Sequence, residues 1–105
     1  RFNLYHGVHA GLYGELLPHL APARAAELGP GAMPAERDLA FCDELFAMNE
    51  HCHEQYGVPL KLSELGVAHD QLPAVAKQAR YDGAALYNEA EITLDDALEI
   101  LEATY

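Results

Sequence analysis

The sequence predicts an all-α protein of about five helices with no sheet. Three observations lead there. Half of the 105 residues are hydrophobic and tryptophan is absent; much of that apolar half is alanine and leucine, which favour helix over strand. Apolar residues recur near the 3.6-residue helical repeat in segment after segment. Breakers gather in residues 29–34 and again at Gly57 and Pro59, between helical segments.

The first helix is expected over residues 8–20, from Val8, Leu12, Leu16, Leu17 and Leu20. This gives a wide apolar stripe, buried on more than one side. Gly11 and Gly14 weaken such a helix, yet they also allow another backbone to approach closely. Pro18 should kink or end it. A short helix over residues 23–28 follows Pro22 at its first turn, and residues 29–34 form a loop with several breakers. The clearest helix spans residues 35–56. Its stripe runs Phe41, Leu45, Met48, Cys52 and Tyr56, Gly57 is its C-cap residue, and Pro59 prevents continuation.

Residues 63–66 predict a single turn or short helix. Asp70 is then expected to cap a helix over residues 71–80, with Leu72, Val75, Ala76 and Ala79 inward. Asp82-Gly83 stops it, and residues 84–90 are expected to be irregular, with Asn88 as the turn residue. Thr93 and Asp96 match a capping box, so a last helix should bury Leu94, Ala97, Leu98 and Leu101. A chain of this length is expected to form one domain.

The balance of 6 Lys plus Arg against 17 Asp plus Glu gives a formal charge of -11. Such a surface repels phosphate, which argues against nucleic acid and anionic membranes as partners. No apolar run approaches the roughly 18 residues of a membrane span. Cys42 and Cys52 share one predicted helix, about 15 Å apart at ~1.5 Å per residue, too far for a disulfide. Free thiols point to a reducing, cytoplasmic setting. The opening Arg1-Phe2-Asn3-Leu4 has neither initiator Met nor signal-peptide pattern, as expected of a chain cut from something longer or processed.

Six histidines are the chemistry-bearing residues. His6 and His9 are three apart and would share a helix face if the helix began early enough; two imidazoles so placed can bind a divalent metal. The bland alternative is that they decorate a helix start. His51 and His53 flank Cys52, but adjacent helical residues point about 100° apart, so both are expected at the surface. His19 stands alone between Pro18 and Leu20. No glycine-rich phosphate loop and no nucleophile–base spacing occurs.

The segment Tyr5-His6-Gly7-Val8-His9-Ala10-Gly11-Leu12-Tyr13-Gly14-Glu15-Leu16-Leu17-Pro18-His19-Leu20 resembles a signature of the iron-containing alcohol dehydrogenases. There a His-Gly pair precedes a helix ending in Leu-Pro-His. The Tyr-His-Gly form is nearer the glycerol dehydrogenase branch. Tyr56-Gly57-Val58-Pro59-Leu60-Lys61-Leu62-Ser63-Glu64-Leu65-Gly66-Val67 is similar to the family's Gly-aliphatic-Pro element. Residues 76–90 and Ile92-Thr93-Leu94-Asp95-Asp96-Ala97 resemble its closing helices. The likeness covers nearly the whole chain and departs where the usual Asn-Pro is Asn88-Glu89.

The resemblance implies the C-terminal part of the helical metal-binding domain of the dehydroquinate synthase-like, iron-alcohol-dehydrogenase fold. It implies that His6 is the last protein ligand to a catalytic divalent metal, iron or zinc. The remaining ligands and the NAD(P)-binding domain would come from an upstream segment or a second chain, with a homo-oligomer left open. The function so implied is that of a metal-dependent NAD(P) alcohol or polyol dehydrogenase, inactive as this chain alone. The rival readings are a non-catalytic helical assembly module and a small metal-binding protein using His6 and His9.

Overall fold

A computed structural model describes residues 1–105. The chain is all-helical: α1 (Phe2–Tyr5), α2 (Leu12–Leu20), α3 (Pro22–Leu28), α4 (Pro34–Tyr56), α5 (Leu72–Ala79), α6 (Gly83–Leu86) and α7 (Leu94–Ala103). Two 3-10 turns, Ser63–Leu65 and His69–Gln71, precede α5. The chain divides into two compact units, residues 1–52 and 53–105.

In the first unit α2 packs on α3 and crosses α4 closely. Helix α2 begins at Leu12, four residues later than expected. The cause lies in the backbone: Gly7, His9 and Gly11 have φ of 71°, 52° and 90°, a left-handed region no α-helix can pass through. Pro18 lies inside α2 and removes the bond its N–H would give the Gly14 carbonyl. The helix ends two residues later, as the proline predicts.

The expectation that a glycine admits a neighbouring backbone holds at Gly14. A Cβ built there would lie 2.5 Å from the Arg37 Cβ and 3.1 Å from the Asp38 nitrogen. Helix α4 starts with Pro34, and the Glu36 carboxylate reaches back to accept from the Met33 amide at 2.8 Å. Arg37 donates to the Gly29 carbonyl at 2.7 Å, tying down the loop that follows α3. Leu17 and Ala40 are the buried apolar residues of this unit.

In the second unit α5 packs on α7, burying Leu72, Ala76 and Ala97. Thr93 and Asp96 form the expected capping box: each takes the other's backbone amide, at 3.1 and 2.9 Å. Asp70 does not cap α5, which has no side-chain cap; the Gln71 side chain accepts from the Ala68 amide at 2.9 Å and closes the preceding 3-10 turn. Asp82 does more than stop α5. Its carboxylate accepts from the Ala84 amide at 2.9 Å and so starts α6 within the stretch expected to be irregular. The end of the chain is pinned: Leu62 N–H donates to the Thr104 carbonyl at 3.0 Å, and the Ser63 hydroxyl to the Tyr105 carbonyl at 2.7 Å.

Two outcomes are expected from these contacts. Gly14→Ala should destabilise the protein by about 1–3 kcal/mol, because the backbones of α2 and α4 must separate. Gly31→Ala, where an added Cβ meets nothing within 4 Å, should stay within about 0.5 kcal/mol. Denaturant unfolding compares them, and equal midpoints would contradict the close crossing.

The second outcome concerns Glu64, which accepts from the Leu60 and Lys61 amides at 2.7 and 3.2 Å. Those bonds hold its carboxyl below the usual 4.5. A lowered carboxyl contributes its stabilisation above the unfolded value and loses it as pH falls through the folded one. The Leu60 amide NMR shift should therefore titrate with a midpoint below 4.5; a midpoint at or above it would contradict the bonds.

Candidate functional site

The site begins at His6, the residue that ends α1. Its amide donates to the Phe2 carbonyl at 3.2 Å, and the Gly7 and Val8 amides donate to Leu4 and Asn3 at 3.1 and 2.9 Å. These bonds close α1 into a tight knot. The His6 imidazole is exposed and touches two rings, with centroids 4.4 Å from Phe2 and 5.3 Å edge-on to Tyr5. One helical turn earlier, Asn3 Oδ1 is buried without a hydrogen-bond partner, an arrangement costing about 1–3 kcal/mol.

The structure does not bring the histidines together. Residues 6–11 are turns rather than helix, so His6 and His9 do not share the helix face expected of them. His9 lies beside Tyr13, ring centroids 6.4 Å apart. His19 is exposed in the last turn of α2, and His51 is exposed on α4. His53 has a structural task that its spacing did not reveal: its Nδ1 lies 2.8 Å from the Val58 carbonyl. Because a carbonyl only accepts, that nitrogen carries the proton. His69 Nε2 pairs with Glu102 at 2.8 Å. No three His, Cys, Asp or Glu side chains gather as a metal site.

One residue essential to the turn escaped the sequence reading. Asp38 of α4 is 3% exposed. Its two carboxylate oxygens accept from the Gly11 amide at 2.6 Å and the Gly14 amide at 2.7 Å. These are N-terminal amides of α2, which lack partners within their own helix and sit at the positive end of its dipole. The signal was present: Asp38, Phe41, Leu45, Met48 and Cys52 follow the same 3-4-3-4 spacing. An acid in line with an apolar stripe is a buried acid that needs donors.

A cavity of about 340 Å³ lies beside the turn, lined by Leu4, Tyr5, Ala10, Ala35, Asp38 and Leu39, with Arg1. The outer face of α2 is apolar, Leu12 and Leu16 being 53% and 51% exposed. The second unit holds an apolar groove of about 360 Å³, walled by Ala79, Ala84, Ala85, Ala97 and Ile100. Its polar members are already engaged: Asp82 caps α6 and Asn88 donates to the Ala90 carbonyl. The His6 turn is the better candidate because it presents an accessible donor atom.

Comparison with family models, curated proteins and solved structures finds no match.

Whether these residues suit a metal follows from the donor set. A catalytic zinc takes three protein ligands and keeps one position open. The turn carries two exposed imidazoles, His6 and His9, and no three possible ligands gather there, so its own residues could supply only part of such a set.

Proposed function

We propose that this chain is the C-terminal part of the helical metal-binding domain of a metal-dependent NAD(P) alcohol or polyol dehydrogenase. An upstream segment or a second chain completes it. The observation that carries this reading is the Tyr5-His6-Gly7 turn, with its exposed imidazole set just before α2. Two further features support it. The large apolar residues Leu12 and Leu16 face outward from a helix already buried on its other side. The first unit buries only one large side chain completely, Leu17, a thin core for about 50 residues.

In this reading His6 supplies one neutral imidazole nitrogen, and its ring contacts with Phe2 and Tyr5 limit the directions it can take. What the metal supplies when bound is Lewis acidity at a substrate oxygen, which favours hydride departure to NAD(P). His51 and His53 stand outside the site, and the free thiols Cys42 and Cys52 suit a cytoplasmic enzyme. No helix is long and apolar enough to cross a membrane.

The test uses the complete polypeptide or complex that contains this chain. His6→Ala should remove the metal and nearly all turnover, while His51→Ala and His53→Ala keep the metal content of the parent. Alone, the 105-residue chain should oxidise neither glycerol nor short alcohols with NAD(P). Full metal occupancy in His6→Ala, or turnover by the chain alone, would overturn the proposal.

A further inference from the structure

The turn that carries His6 is tethered to α4 on both sides. On the N-terminal side Arg1 pairs with Asp43, and its guanidinium carbon lies 5.2 Å from the Phe46 ring centroid. On the C-terminal side the Asp38 carboxylate holds the Gly11 and Gly14 amides. The two tethers are unequal. Both side chains of the Arg1–Asp43 pair are more than half exposed, and such pairs hold geometry weakly. Asp38 is buried and makes two short, charge-assisted bonds.

The turn makes few backbone bonds of its own. Between His6 and Leu12 its backbone bonds are those to Leu4 and Asn3 at the start and Leu12 N–H to the His9 carbonyl at 3.0 Å. Three of its residues hold positive φ. A segment of this kind keeps one shape only if its ends are fixed, and the firm fixed point is the one that Asp38 makes.

We infer that Asp38 is a positioning residue for His6, fixing through the Gly11 and Gly14 amides the direction in which the turn presents its imidazole to a metal. This rests on the metal-ligand reading of His6. Ligating side chains must be held within about 0.5 Å of the productive geometry. Supports beyond the ligands themselves are typically worth about 10- to 100-fold in metal affinity.

The experiment measures zinc affinity by chelator competition, together with the visible spectrum of the cobalt(II)-substituted protein, in the complete polypeptide or complex. Asp38→Asn keeps the shape and one carbonyl acceptor but loses the charge and one bond. It should weaken zinc about 10- to 100-fold and shift the cobalt ligand-field bands at full occupancy. Gly11→Ala, which strains the same anchor at its φ of 90° while leaving Asp38 intact, should move the bands too. It serves where Asp38→Asn fails to fold. A purely structural role would lower the unfolding midpoint and leave the spectrum of folded, loaded protein unchanged. Metal loss in His6→Ala with parental affinity and spectrum in both anchor variants would overturn the positioning role alone. Retention of metal in His6→Ala would overturn the ligand reading, and the positioning role with it.

Discussion

The first unit depends on one buried carboxylate. A lone charge at the depth of Asp38 is unfavourable unless it is hydrogen-bonded, and an α-helix start presents amides that have no other partner. Bringing the two together answers both needs, provided the helices come close enough. Gly14 permits that approach, since any Cβ there would strike Arg37. The arrangement is asymmetric in energy. Removing Asp38 strands two amides, and separating the helices strands the charge, so neither half is dispensable.

The rest of the unit follows from this crossing. With α2 pinned at Gly11, the chain before it must reverse through the left-handed residues Gly7, His9 and Gly11. The segment expected to extend α2 backwards is therefore a turn, and His6 stands out at its beginning. The same close approach buries Leu17 and Gly14 on one side of α2 and leaves Leu12 and Leu16 outward. A helix apolar on two faces is built to be covered twice. That second face and the exposed imidazole of His6 are the two features on which the proposal of a larger enzyme rests.

Much of the fold was legible because its signals are local. Helix α4 was read to within one residue of its start from its apolar period, Gly57 and Pro59, and the Thr93–Asp96 box marked α7 outright. The failures have two causes: a partner distant in sequence, and short polar side chains that can serve more than one turn. Helix α2 was read as starting at Val8 because periodicity cannot register a backbone reversal fixed from Asp38, 27 residues beyond Gly11. Asp82 was read as a stop although the same carboxylate starts α6, since a short polar side chain serves either end of a helix. Asp70 was read as the cap of α5 by residue type alone, and that helix has no side-chain cap. At the site, His6 could be singled out by its neighbours in sequence, whereas the bond of His53 to the Val58 carbonyl depends on how the chain folds back after Gly57.

The strength of the Asp38 anchor decides the organisation of the first unit, and native-state hydrogen exchange reads it directly. In the isotopically labelled chain, the Gly11 and Gly14 amides should exchange at the rate of the most protected amides of residues 1–52, and their opening should depend on denaturant as global unfolding does. Exchange of both at the rate of an exposed turn, insensitive to denaturant, would contradict the anchor and the organisation built on it.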